Sequence, residues 1–396
     1  MMKTSLKPFV MTLLMACVLS VQGQISYDFS ALNKDNKPIY YRILSDSTVG
    51  VANAFVNCYA GKIDIPDTLT HNSTKYKVVS IINYAFALND SLTEVTVPTS
   101  VRTIGKFAFQ TCPMLETVTL TDSIETIEKG AFKECYALLT IHIPVKLTHV
   151  SQMLFHECKA LDNIYVGNAI TYVDTSAFES CEGLRNLTIG PSVTSIKSKA
   201  FQLCLNLNEL ILSNSIDTIE TYSFYGSSNL RYLQLGNDRQ LNLKYLGQYA
   251  FSYCTRLLNT RIFCEEPPRI YDNTFIGIEQ MHVLHVPCET FTKYDTSDFW
   301  TDLNTNGKTI VEDTCVGLYN LEDISFEIYP NPASNMLTIE GENIDHISIY
   351  NLLGQEIYSV KTGKSTLNVS QFHKGIYIIG VKFSDGRLQK RRLQIQ

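Results

Sequence analysis

Long apolar runs are nearly missing from this chain of 396 residues. The one such run, Phe9 to Leu19 near the N-terminus, is shorter than the roughly 18–20 residues needed to span a bilayer. Nothing after it comes close, so no transmembrane helix is expected in the mature chain. Basic charge is also scarce. Lys and Arg total 33 against 39 Asp and Glu, a formal net charge of -6, and this leaves no footprint for nucleic acid. Catalytic signatures are missing too: no G-x-S-x-G, H-E-x-x-H, Walker A or G-x-G-x-x-G stands in a fitting context. His142, His149 and His156 fall at different positions of one repeat unit, and His282 and His285 are three apart on an expected strand, hence on opposite faces. No catalytic, cofactor or metal residue is expected, and no cofactor.

Periodicity is what the chain has in abundance. Leu92, Leu115, Leu138, Leu161, Leu184, Leu207 and Leu230 recur every 23 residues. Phe86, Phe109, Phe132, Phe155, Phe178, Phe201 and Phe224 keep the same beat, and Cys112, Cys135, Cys158, Cys181 and Cys204 follow three residues after a phenylalanine. A fixed period of 20–29 residues marks a leucine-rich-repeat solenoid. In the unit Leu184 to Asn206, Leu187 and Ile189 alternate with Thr188 as a short strand, and Gly190-Pro191-Ser192 turns. Val193 and Ile196 then bracket a second extended piece. Ala200, Phe201 and Cys204 return the chain, expected as a helical or 3₁₀ turn. One unit cannot bury these residues alone, so stability must come from stacking. Phe86 to Phe251 gives eight coils, a height on the order of 40 Å at strand spacing. Ser227 replaces the cysteine in one coil, and four extra residues lie within Asn237 to Tyr245, expected to loop out.

Ten of the eleven cysteines follow Cys17, and the repeat explains six of these, Cys254 included. A residue repeated at one register stacks on its copies, and free Cys packs as a small hydrophobe. A ladder of buried thiols is expected, although coils about 4.8 Å apart leave pairing open. Cys58, Cys264, Cys288 and Cys315 lie outside the register and are the better disulfide candidates, with unreadable connectivity.

Residues 1–23 read as a secretory signal peptide. Lys3 and Lys7 precede the apolar run, and Val21-Gln22-Gly23 leads to the cleavage position before Gln24. Leu14-Met15-Ala16-Cys17 is an imperfect lipobox, so lipoprotein processing is the rival reading. After Asp313 the period stops. Seven short alternating segments follow: Phe326–Tyr329, Met336–Ile339, Ile347–Tyr350, Ile357–Val360, Thr366–Val369, Ile376–Phe383 and Arg387–Ile395. They read as a small Ig-like β-sandwich.

The pattern LxxIxIPxSVxxIGxxAFxxC, nearly complete in Leu92–Pro98, Ser100-Val101, Ile104-Gly105 and Ala108-Phe109, resembles the BspA-type leucine-rich repeats of bacterial surface proteins. Ile63–Pro66 and Tyr76–Ile81 look like that family's N-terminal cap. Glu266-Pro267-Pro268, Val283–Pro287, Tyr294 and Trp300 look like its closing cap. The usual glycine is replaced in later repeats by Glu128, Ser151, Asp174, Lys197 and Glu220, expected to be exposed turn positions. The resemblance implies a surface protein, with adhesion a role of some relatives. Tyr329-Pro330-Asn331-Pro332, Ile349-Tyr350-Asn351 with Gly354-Gln355, and Lys374-Gly375-Ile376-Tyr377 resemble the type A C-terminal sorting domain of the type IX secretion system. That implies a Bacteroidetes-type bacterium, handling by the type IX machinery, and surface attachment or release. The sorting motif would comprise Pro330, Asn331, Pro332, Gly354, Gly375 and Tyr377.

The expected plan is therefore mostly β: signal peptide 1–23, N-terminal cap segment 24–77, solenoid with closing cap 78–312, linker 313–323 and sorting domain 324–396. The expected function is an exported, cell-surface or secreted, non-enzymatic binding protein, an adhesin or interaction scaffold. Its partner would be a host protein, a glycan or a bacterial surface ligand. The alternatives are a structural component of the surface or biofilm matrix, and an enzyme with an unrecognised site. Outward strand positions form two rows: Thr96, Thr119, His142, Tyr165, Thr188, Ile211, Gln234, and Glu94, Thr117, Thr140, Asn163, Asn186, Glu209, Tyr232. Tyr165, Ile211 and Tyr232 form the candidate binding face, with ordinary β-propensity as the plainer explanation.

Overall fold

The computed structural model describes residues 27–278, 283–301, 309–313 and 326–395, apart from 332, 342, 351–355, 362–365, 373 and 385–387. The expected signal peptide lies outside them. The chain divides into two compact units, Met1–Thr314 and Cys315–Gln396.

The first unit is a β-solenoid built from two parallel ladders. Strands such as Asn163–Val166 and Asn186–Ile189 pair residue for residue at a separation of 23, Ile164 opposite Leu187. The second ladder holds the two-residue strands His149–Val150, Tyr172–Val173, Ser195–Ile196, Thr218–Ile219 and Tyr245–Leu246. Between the ladders the inward side chains fill one continuous core. The seven register leucines from Leu92 to Leu230 are fully buried, as are Phe109, Phe132, Phe178 and Phe201. The register of each strand follows from the pleat: a slip of one residue would turn the apolar set outward.

Phenylalanine rings form a column through the core. From Phe86 to Phe251, successive centroids stand 4.9 to 5.6 Å apart with nearly parallel planes. This is the arrangement identical side chains adopt when identical backbones stack at strand spacing. The column is longer than the eight coils counted in the sequence. Phe275 stacks beneath Phe251 at 5.7 Å, one residue out of period and with Ile278 at the cysteine position. Tyr59 closes the column at 4.5 Å from Phe86, and Trp300 closes the other end at 6.1 Å from Phe275. Both caps are anchored: Tyr59 donates its hydroxyl to Ala52 O, and Trp300 donates Nε1–H to Pro268 O.

The return segment is neither a helix nor a 3₁₀ turn. Two residues four apart take left-handed backbone conformations in each coil from Phe86 to Phe251, among them Tyr84 and Leu88, Phe107 and Thr111, Lys199 and Leu203, and Tyr249 and Tyr253. This alternation turns N–H groups along the solenoid axis. Lys199, Phe201 and Leu203 donate to Thr221 O, Ser223 O and Tyr225 O of the next coil. A helix would have spent those donors within its own coil. The cost of left-handed non-glycine residues is offset by three coil-to-coil hydrogen bonds and by burial of the phenylalanine between them.

The five residues replacing the usual glycine are not exposed, contrary to expectation. Glu128, Asp174, Lys197 and Glu220 are half-buried and Ser151 is buried. The same position stays close to the previous coil: a Cβ on Gly105 would stand 2.7 Å from Asn83 N. Lys197 and Glu220 answer each other across adjacent coils at 2.9 Å. Half of the inserted segment after Asn237 is also tucked in, with Leu241 and Leu243 buried, while Arg239 reaches Glu265 at 3.3 Å and donates to Cys288 O.

An antiparallel meander, Phe29–Leu32, Pro38–Ser45 and Thr48–Ala52, leads into the solenoid. Its last strand pairs in parallel with Thr74–Ile81, which contains residues 77 and 78 and pairs onward with Thr103–Ile104. At the far end Val283–Val286 and Thr309–Glu312 add two more parallel strands to the first ladder.

Among its described residues the second unit has seven strands in two antiparallel sheets. Glu327–Tyr329, Met336–Glu340 and Thr366–Asn368 form one. Glu356–Lys361, Ile344–Tyr350, Gly375–Phe383 and Leu388–Ile395 form the other. Leu337, Ile339, Ile347, Ile349, Ile379, Val381 and Leu393 make its own core.

Candidate binding surface

The outward rows of the first ladder form a regular surface along the solenoid. Each lies between inward Ile, Leu and Val residues, so the pleat alone fixes its direction. The register links Glu94 to Thr117, Thr117 to Thr140, Thr140 to Asn163 and Asn163 to Asn186, and separately Glu209 to Tyr232. Asn186 Nδ2 donates to Asn163 Oδ1, and Asn163 Nδ2 to Asp162 Oδ2, so polar side chains support one another along the row.

Tyr165 is 53% and Ile211 48% exposed. Tyr232 is half-buried, and burial raises its hydroxyl above the ordinary phenol range. Tyr165 donates to Asn168 Oδ1 and Tyr232 to Gln234 Oε1, so both rings are held by their hydroxyls. The three share one face but are not one cluster. The Thr188 strand separates Tyr165 from Ile211, about 10 Å at strand spacing, whereas Ile211 and Tyr232 are diagonal neighbours.

The rows continue past the repeat. Tyr232 faces Asn259, which faces Val283 and then Thr309. Gln234 faces Arg261, then His285, then Val311. Asp313 Oδ1 lies here, 3.1 Å from Arg261 Nη2 and 3.4 Å from His285 Nδ1. Sequence reasoning missed this end. Adding the four inserted residues to the 23-residue count reaches Asn259 and Arg261. Asp313 could not be found that way, because it follows the last strand of the sheet.

The three histidines of one coil have separate partners. His142 Nε2 lies 2.8 Å from Asp122, His149 stacks on Tyr172, and His156 lies between Glu157 and Glu179 at 3.8 and 3.7 Å. His282 lies outside the described residues. Cys58 and Cys264, expected as disulfide candidates, are free thiols. Cys264 is buried and its carbonyl accepts from the Tyr294 hydroxyl. Cys288 is disulfide-bonded, and Cys315 lies outside the described residues.

The ladder thiols are free and buried. Each donates Sγ–H to the carbonyl of the phenylalanine one coil back: Cys112 to Phe86 at 2.9 Å, Cys135 to Phe109, Cys158 to Phe132 and Cys181 to Phe155 at 3.1 Å. Ser227 makes the same bond to Phe201 O, and Asn89 takes the position in the first coil by donating to Phe86 O. From Cys112 to Cys254 the register thus holds a small buried donor to the previous coil, thiol or hydroxyl, whereas Asn89 bonds within its own coil and Ile278 fills the place in the last coil without a donor.

In the second unit Asn331 accepts from the Gln394 N–H at 2.8 Å, and Ala333 donates to Gln394 O. Pro330, after a cis peptide bond, is exposed. Gly375 opens the strand that carries Tyr377, whose ring is 5.9 Å from Phe372. Pro332 and Gly354 lie outside the described residues.

The profile described as "BspA type Leucine rich repeat region" matches six copies over residues 51–185 and 149–282, more than half of the chain. The chain belongs to the BspA-type leucine-rich-repeat family. The "Secretion system C-terminal sorting domain" matches residues 327–396 and places this BspA-type protein among the proteins exported by type IX secretion. Solved structures similar to it include a leucine-rich cell surface protein from Faecalibacterium prausnitzii, with 20% identity, TM-score 0.43, and 73% and 96% of the two chains covered. Another is a leucine-rich repeat protein of T. pallidum, with 24% identity, TM-score 0.37, and 58% and 88% covered. A curated relative, ulvan lyase NLR42 of Nonlabens ulvanivorans, is 31% identical over 111 residues, 26% of this chain. The match spans 21% of that relative's length.

Proposed function

We propose that this exported BspA-type protein is a non-enzymatic binding protein of the outer surface, adhesive in role, and that it takes its partner on the outward strand rows. The observation that supports the reading is the geometry of those rows. They run in register along the solenoid, with Tyr165 and Ile211 about half exposed and Tyr232 of one row bonded through its hydroxyl to Gln234 of the other. Rigid aromatic and branched residues on a fixed sheet give contact area at little entropic cost. The partner class is a host protein, a glycan or a bacterial surface ligand. Pro330, Asn331, Gly375 and Tyr377 belong to the module that the secretion machinery handles.

The test is a triple change, Tyr165→Ser, Ile211→Ser and Tyr232→Ser, in the displayed protein. Attachment of cells to immobilised matrix proteins and to partner bacteria should fall, while surface display and thermal melting persist. Attachment equal to wild type, with display intact, would overturn the choice of face and favour a structural role without a specific ligand.

A further inference from the structure

The turn segments carry a second surface, in a different part of each coil from the strand rows. Tyr222 and Tyr249 occupy the first left-handed position of successive coils and stack at 4.8 Å, with planes 5° apart. Tyr225 meets Tyr222 edge-on at 5.3 Å and meets Tyr253 at 5.4 Å, with the last two planes 67° apart. Tyr253 lies across Gly277: a Cβ added there would stand 2.8 Å from its Cδ1 and 3.1 Å from its Cε1. One face of Tyr253 thus sits on backbone and the other opens to solvent, at 47% exposure. The result is a corner with Tyr253 as floor and Tyr225 as wall, flanked by the exposed Ile276. The preceding coils carry Ser176, Glu179 and Ser180, then Lys199, Gln202 and Leu203, at the same places, so the aromatic gathering is local.

The chemistry of the corner selects its ligand. No acidic or basic side chain stands at these positions in the two tyrosine coils, so a charged peptide finds no ion-pair partner there. Among the described residues no side chain or backbone group of the protein engages the four hydroxyls, and the rings are half-buried or exposed, so the hydroxyls face solvent and are open to a ligand. A surface with one flat apolar floor and several solvent-facing hydroxyls fits a pyranose ring. The ring's C–H face rests on the negative face of the aromatic ring, and its hydroxyls bond at the rim.

We propose that the Tyr225–Tyr253 corner is a glycan-binding site that seats a sugar ring of a polysaccharide on Tyr253. Lys199, exposed in the column of Tyr222 and two coils from Tyr253, would meet the carboxylate of an acidic sugar further along the chain. The site goes beyond the strand-row reading and does not depend on it.

Calorimetric titration of the full chain with hexasaccharides of glucose, mannose and galacturonic acid tests the proposal. At least one should bind, and Tyr253→Ala and Tyr225→Ala should each weaken it about tenfold. The pair Tyr165→Ser and Ile211→Ser should leave that binding unchanged. Lys199→Ala should weaken only the galacturonate chain, which separates an acidic from a neutral ligand. A melting curve controls for folding, and Ile276→Asp, exposed beside the floor, tests the same corner should Tyr253→Ala melt early. Binding by none of the three chains, or binding indifferent to both Tyr253→Ala and Ile276→Asp, would overturn the proposal.

Discussion

The thiol ladder shows what one residue type does when a fold repeats it. Desolvation dominates each site, because a thiolate at zero exposure would lose its water without gaining a cation. It pushes Cys112 and Cys254 up to about 12, and Cys135, Cys158 and Cys181 well above the ordinary range. The sign of the linkage follows. Below the ordinary value near 9 both states hold the proton and the ladder is neutral to pH. Above it the unfolded chain ionises while the folded chain does not, so stability falls as pH rises through 9 towards 12. Denaturant titrations at pH 7, 9 and 10.5 should show the midpoint dropping, and replacing Cys112 and Cys254 with Ser should flatten that drop. The ladder thiols of the native protein should also resist alkylation, which needs a thiolate within reach, whereas the half-buried Cys58 is the free thiol open to label. Rapid labelling of Cys112 to Cys254 in the folded chain, read by peptide mapping, would show the ladder is open. Phenylalanine, leucine and cysteine registers were all legible in the sequence because burial imposes them directly. The hydrogen-bonding role of the cysteine was not, since Ser227 reads as a deviation until Phe201 O is seen to accept from it.

At the scale of the coil, the strands were legible and the return was not. Alternation at Leu187 and Ile189 fixes a strand by its faces, whereas left-handed residues such as Lys199 and Leu203 carry no side-chain signature. Where the signature does appear, as glycine, the reason is a neighbour as well as the backbone. Gly130 has φ +62°, yet residues with side chains hold that position in other coils. What distinguishes Gly130 is Phe107 one coil back, whose Cε1 and Cδ1 would lie 2.4 and 2.5 Å from an added Cβ. Gly130→Ala should therefore destabilise by about 1–3 kcal/mol, chiefly by displacing that ring. In a Phe107→Ala background the same change should cost markedly less. A double-mutant cycle by urea denaturation reads the coupling, and additive costs would mean that backbone strain alone accounts for the glycine.

Across the whole molecule, the two units keep separate cores, one holding Phe109 and its partners and the other Ile347, Ile379 and Leu393. Their origin in the sequence is equally separate: a 23-residue period ends, and a two-residue alternation begins. The candidate binding face was half legible, because Tyr165, Ile211 and Tyr232 could be placed outward by register, while the Arg261–Asp313–His285 group depends on strands beyond the period. The second unit needs nothing from the first to bury Leu337 or Val381, and its last strand is pinned internally through Asn331 and Ala333 to Gln394. A module closed in this way can act as a removable export signal without disturbing the solenoid. Deleting residues 324–396 should therefore leave the first unit's melting transition in place, since its column is capped by Tyr59 and Trp300 within its own chain segment. The same deletion should hold the protein in the periplasm. Fractionation with surface proteolysis checks the location, and calorimetry of the retained protein checks the fold. Normal display of a folded, truncated chain would remove export from the second unit, whereas retention of an unfolded one would show that the solenoid needs its C-terminal partner to fold.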